Sequence, residues 1–169
     1  RSDWDYDLPF DIEDFRNTVC LGAVDLSETT DMTCAKVMLY RRDDKRKYCL
    51  SHYWIPENKL ESSADKTAGA KYQEWAQKGW LTICSGNDND LTLVADWFAE
   101  LRDKYGIYLF KCGYDQRFKR DWIQRMDYWG WVDREDLIMI QQSPDVLHGA
   151  ICNVEADLKD RLIVGMNDI

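Results

Sequence analysis

The chain has 169 residues, with 22 Lys+Arg against 31 Asp+Glu for a formal net charge of -9, and it is 45% hydrophobic and 13% aromatic. That composition excludes a disordered tail, and the length suits one domain with a sizeable core, not two full lobes. No apolar run approaches the roughly 18–20 residues of a membrane-spanning helix, and the acidic balance argues against a general nucleic-acid coat.

The chain opens on Arg1 without a basic-then-apolar leader, so it reads as an excised domain or processed piece. Arg1 to Asn17 mixes acids with Trp4, Tyr6 and Phe10 and shows no clean period; it reads as a lead-in segment (1–17) packed on a domain spanning 18–169. Thr18 to Asp25 is apolar and β-branched and closes on an acid. A polar turn, Ser27 to Asp31, precedes a second strand from Thr33 to Arg41. The charged turn Asp43-Asp44-Lys45-Arg46 precedes a third, Lys47 to Pro56. Short polar turns between three such runs predict an antiparallel meander.

After Pro56 the period changes. Ala64, Ala68, Tyr72, Trp75 and Ala76 predict one helix over Ser63–Lys78, stopped by Gly79. Trp80–Cys84 is a short strand or extended approach. Asp90 is the N-cap of a helix to about Tyr105, with Leu93, Val94, Trp97, Phe98 and Leu101 on one face. Ile107–Cys112 is a strand running into Gly113-Tyr114-Asp115, Arg117–Tyr128 a helix, and Leu137–Gln141 a strand. A last helix runs from Ser143-Pro144 to about Ile163. Three antiparallel strands followed by alternating helices and strands predict an α/β fold with parallel additions to the meander, the element order of the ribonuclease-H-like fold.

Six cysteines are scattered with no C-x-x-C and no Cys/His pairing at zinc-ligand spacing, which reads as reduced thiols. His52 and His148, the two histidines, have no nucleophile context and read as packed or surface residues. Arg117, Lys119, Arg120 and Arg125 can face phosphates or simply form a solvated helix face. The tryptophans follow the apolar faces and read as packing residues.

Among the acids, Asp25 and Asp115 stand out because each closes an apolar strand. In the ribonuclease-H-like order the first and fourth strands of this reading are neighbours, which brings the two carboxylates together. At about 4 Å such like charges repel by roughly 1–4 kcal/mol, and a divalent cation removes the conflict. Carboxylate oxygens suit Mg²⁺ or Mn²⁺, and a pair of such ions can activate water and steady the leaving oxygen of a phosphodiester. The competing reading is that each Asp is a turn residue bonded to nearby backbone N–H groups. Asp31, in the Asp25-x-Ser27-x-Thr29-x-Asp31 run, is a further candidate metal ligand or a plain turn residue.

Several segments together resemble the nuclease domain of tailed-phage large terminases. Leu21 to Ser27 with Thr30-Asp31-Met32-Thr33 is similar to that domain's opening. Tyr53-Trp54-Ile55-Pro56 resembles the step after its third strand, and Tyr72-Gln73-Glu74-Trp75 through Gly79-Trp80-Leu81-Thr82 its next helix and exit. Gly113-Tyr114-Asp115 matches the second acidic strand end. Gln141-Gln142-Ser143-Pro144 resembles the step before the last helix, and Glu155 to Lys159 fits within it. The resemblance runs from about Cys20 onward. It implies a metal-dependent endonuclease with two divalent cations, Mg²⁺ or Mn²⁺, held by Asp25, Asp115 and provisionally Asp31. The substrate would be double-stranded viral DNA, cut during genome packaging.

The same resemblance implies an ATPase motor domain, a portal and a small terminase subunit as partners; the reduced cysteines and the lack of a signal peptide lead to an expected place in the cytoplasm of a bacterial host, with no membrane partner. The resemblance also implies a third acidic ligand beyond the last helix. Glu155, Asp157, Asp160 and Asp168 do not match that position, so the ligand is expected past Ile169. The chain carries no G-x-x-x-x-G-K-[ST] motif, so the motor's phosphate loop is not in it. The isolated domain is expected to be a monomer. Two other functions stay open: a non-catalytic docking module of the packaging machine, and an actin-like nucleotide-binding domain. The second is disfavoured because the turn after Asp25 has no glycine for close approach to phosphate.

Overall fold

The structure, a computed structural model, describes residues 10–29, 31–117 and 119–166. Strands β1 (Thr18–Asp25), β2 (Thr33–Tyr40) and β3 (Lys47–Pro56) form the predicted antiparallel meander. β4 (Leu81–Cys84) joins β3 in parallel, and β5 (Ile107–Tyr114) joins β1 in parallel on the other side. β6 (Leu137–Met139) extends that edge, giving the order β4-β3-β2-β1-β5-β6, and β7 (Ile163–Met166) pairs with the start of β3.

Alternation along the strands sets the two faces of the sheet. Thr33, Ala35, Val37 and Leu39 of β2 are buried, with Cys20 and Val24 of β1 and Tyr48, Leu50 and Trp54 of β3. Against this face packs α3 (Leu91–Tyr105), which buries Leu91, Val94, Ala95, Phe98 and Leu101. Asp90 caps it, its carboxylate accepting from the Thr92 N–H at 3.0 Å, and Gly106 ends it at φ 65°. Gly22 marks where sheet and helix come closest: a Cβ there would lie 2.7 Å from Leu109 Cδ1 and 3.2 Å from Phe98 Cε1.

The α4 helix (Arg120–Tyr128) buries Trp122 and Met126, one turn apart. Asp96 of α3 clamps α4 by accepting from Arg125 at 2.7 and 3.1 Å and from the Trp129 indole at 2.7 Å. Burial pushes the Asp96 carboxyl up, but these charge-assisted bonds outweigh it and hold it below the ordinary carboxylate range.

Several elements depart from the sequence reading. The helix expected over Ser63–Lys78 is two, α1 (Ser63–Ala68) and α2 (Tyr72–Gln77). Gly69 at φ 82° closes the first in the left-handed region, a stop that the Ala-and-aromatic spacing on either side obscured. The last helix, α5 (Pro144–Lys159), ends early because Arg161 takes φ 55°, and the chain then forms β7. β-branched Ile163 and Val164 suit that strand. β5 runs two residues past Cys112, α4 starts three residues after Arg117, and β6 stops at Met139.

Ahead of β1, a 3-10 turn (Ile12–Phe15) carries Phe15 into the core, where it and Phe10 pack edge-on and tilted against Tyr48. Residues 1–9 of the expected lead-in lie outside the described residues. No helix among the described residues is long and apolar enough to cross a membrane, and all six cysteines are free thiols. Burial pushes the Cys20 thiol up to about 12 and the Cys112 thiol well above its ordinary value, as for small core hydrophobes.

Candidate functional site

The register of β1 and β5 decides where the two strand-end acids go. Val24 and Tyr114 are the last paired residues of these parallel neighbours, so Asp25 and Asp115 follow side by side. Val24 and Tyr114 are buried on the α3 face; strand alternation therefore sends Asp25 and Asp115 to the opposite face, Asp25 exposed and Asp115 half-buried. The neighbour of β1 is the fifth strand in chain order, because Leu81–Cys84 is a true strand.

The two acids differ in their surroundings. Asp115 Oδ1 accepts from the Arg117 N–H at 2.9 Å, the turn bond of the plainer reading, which engages one of its oxygens. The Asp25 carboxylate has no hydrogen-bond partner among the described residues. Two carboxylates at neighbouring strand ends are a donor set that fits a hard divalent cation, with water or a phosphate oxygen completing the shell. Among the described residues no three His, Cys, Asp or Glu side chains are grouped so that they could hold a metal ion. Asp31 is exposed in the β1–β2 connection, and its backbone carbonyl accepts from the Asn89 amide at 2.9 Å.

Asn89 is the residue that sequence reasoning passed over. It is 6% exposed and sits just before the α3 cap, reaching back to the β1–β2 connection. Thr33 works beside it: its hydroxyl accepts from the Ser27 N–H and donates to the Ser27 carbonyl, both at 2.9 Å. The signal lay in the polar run Asn87-Asp88-Asn89-Asp90, of which only Asp90 has an obvious helix-capping role. Glu28, Thr29, Asp88, Asn89, Asp90, Thr92 and Asp121 line a cleft of about 330 Å³ beside this connection.

The basic residues after Asp115 divide by what they touch. Arg125 is held by Asp96 and lies 4.8 Å over the Tyr128 ring, so it builds the helix pair. Lys119 sits 5.6 Å over the Tyr114 ring, and Arg120 pairs with Asp121 on the surface. Arg117 is exposed two residues after Asp115. Of the late acids, Asp157 pairs with Lys47, Glu155 and Asp160 are exposed at the end of α5, and Asp168 lies outside the described residues.

His52 is a packed histidine. Its ring lies 4.6 Å from Trp54 and 6.0 Å from Trp97, with Nε2 2.9 Å from the Thr82 hydroxyl. Burial drops it to about 4, against a smaller upward pull from Glu100. The unfolded chain therefore binds the proton more readily, and this site weakens the fold as pH falls from about 6.5 to about 4, by up to about 3 kcal/mol. Urea titrations across that window are expected to show a shallower loss in His52→Gln than in the wild type; equal slopes would remove His52 as the cause.

Comparison with known proteins bears on the fold. No protein-family profile matches the chain. Protein YmfN of Escherichia coli (strain K12) is 24% identical over 96 residues, covering 53% of this chain and 21% of its own length. The crystal structure of the HK97 bacteriophage large terminase superposes with a TM-score of 0.73 at 20% identity, over 92% of this chain and 33% of that one. The chain thus spans about a third of the terminase and a fifth of YmfN. The fold is that of a terminase-like domain: a ribonuclease-H-like mixed sheet of antiparallel and parallel strands flanked by helices.

Proposed function

We propose that this domain is a metal-dependent endonuclease that hydrolyses double-stranded viral DNA during genome packaging. The observation that carries the reading is the register of β1 and β5, which sets Asp25 and Asp115 side by side on one face of a terminase-like fold. Asp25 and Asp115 would hold the cations, Mg²⁺ or Mn²⁺, with Asp31 as a further oxygen donor. When bound, such ions supply an activated water and neutralise charge at the leaving oxygen. Arg117 would fix a backbone phosphate against the pair. Net hydrolysis would join the water's oxygen to phosphorus, break the bond to the leaving oxygen, and pass the water's proton by way of solvent to that oxygen.

The net charge of -9 fits this reading, since a nuclease needs a local acid cluster and local cations more than a basic average. Weak intrinsic DNA affinity would leave the grip to the ATPase motor and portal, the partners expected for a longer protein. Nicking of supercoiled plasmid is expected with Mn²⁺ or Mg²⁺ and to stop with EDTA; cutting that persists in EDTA would refute the metal requirement.

A docking module of the packaging machine is the second reading, and one observation favours it. Val19, Tyr108 and Phe110 stand 62%, 50% and 61% exposed on β1 and β5, an apolar surface of the kind partners cover. It predicts that loss of Asp25 changes nothing measurable.

A further inference from the structure

We propose that α5 is a strap that closes on the apolar face of β1 and β5, the face that the docking reading leaves to a partner. The proposal is independent of the acid site. α5 buries none of its side chains, and Val146, Ile151 and Val154 stand 51%, 54% and 46% exposed. With Leu147, Ala150 and Leu158 they recur at helical spacing and make one apolar stripe. The helix has little to stand on alone. Gly149, Asn153 and its three β-branched residues are weak helix formers, and an isolated helix of this length is marginal in water. Packing of the stripe has to supply what propensity does not.

The path of the chain selects the surface that covers it. α5 leaves β6 at one edge of the sheet and leads to β7, which pairs with the start of β3 beyond β5, β1 and β2. α3 fills one face of the sheet, so the crossing belongs to the other. The far end of α5 is tied there: Asp157 pairs with Lys47, which alternates with the buried Tyr48 and so points away from α3. Asp157 flanks the stripe, three residues after Val154 and one before Leu158, so this ion pair turns the stripe toward the sheet. β1 and β5 lie on that crossing. Val19 pairs in register with Tyr108, and with Leu21 and Phe110 they form an exposed apolar patch alternating with Cys20 and Leu109 of the core. From β6 to β7 is five strand spacings, about 24 Å, and the 16 residues of α5 span about the same length. Closed, the strap denies this face to a partner; open, it offers helix and sheet together.

The test is amide hydrogen exchange across α5, read by mass spectrometry at two protein concentrations in the wild type, Val154→Ala and Phe110→Ala, with the α3 amides as the control for folding. Val154→Ala separates packing from propensity by sign. Alanine is the better helix former, so a helix standing alone would exchange more slowly, whereas a closed strap loses contact and is expected to exchange about three-fold faster. Phe110→Ala, on the sheet and far along the chain from α5, is expected to speed exchange in α5 about ten-fold while α3 keeps its protection. Val154→Ala lies at an exposed helix position and keeps the test intact if Phe110→Ala disturbs β5. Slower exchange in Val154→Ala, or wild-type exchange of α5 in folded Phe110→Ala, would overturn the strap. Protection of α5 that rises with protein concentration would put a second copy on this face and overturn it as well.

Discussion

Asp25→Asn is expected to lower the rate of metal-dependent plasmid nicking at least a hundred-fold, about 2.7 kcal/mol of transition-state stabilisation. The exchange keeps the size of the side chain and removes the negative oxygen a hard cation prefers. Its effect on the fold is small. Asp25 is exposed, its carboxylate has no hydrogen-bond partner among the described residues, and it lies beside Asp115 across neighbouring strand ends. An exposed carboxylate without a side-chain partner adds little to the fold, so the metal-free variant is expected to melt at about the wild-type temperature. Loss of cutting together with loss of folding would instead make Asp25 a structural turn residue.

Trp122→Ala carries the largest expected stability loss, about 3–5 kcal/mol, because it empties a fully buried aromatic site. The Trp122 ring packs 5.4 Å from that of Tyr114, the residue immediately before Asp115, and anchors α4 to the sheet. Its removal loosens the strand end that carries the second acid as well as the core. Trp122→Phe is expected to cost far less. The indole N–H is buried with no partner, so deleting it removes an unsatisfied donor along with some contact area. Chemical denaturation of the two variants checks this: equal losses would mean that ring volume is not what holds α4.

The strands and the acid pair were legible in the sequence because their signals are local. Asp25 and Asp115 each close an apolar run, and period-two burial along β2 is nearly perfect. Asp90 announced the start of α3 by its place before an apolar period. What stayed hidden depends on conformations or contacts the pattern does not encode. Gly69 lies within a continuous helical spacing, and only its positive φ divides α1 from α2. Arg161, a good helix former by composition, adopts a left-handed turn that frees Ile163 and Val164 to pair with β3. Asn89 could not be found from spacing, since its partners Ser27 and Asp31 lie about sixty residues earlier. Arg125 read along the chain as a phosphate contact or part of a solvated helix face, and its engagement with Asp96 emerges only when α3 and α4 pack.

Thermal melting with increasing Mn²⁺ tests the proposed metal site of Asp25 and Asp115 most directly, because it needs neither DNA nor turnover. A cation bound only by the folded chain stabilises it by about 2.7 kcal/mol at a hundred times its dissociation constant. For a domain of this size that is a rise of roughly 5–10 °C. The wild type is predicted to show this saturable rise, and Asp25→Asn and Asp115→Asn each to lose most of it. An equal rise in all three proteins would contradict the assignment of Asp25 and Asp115 to one metal site.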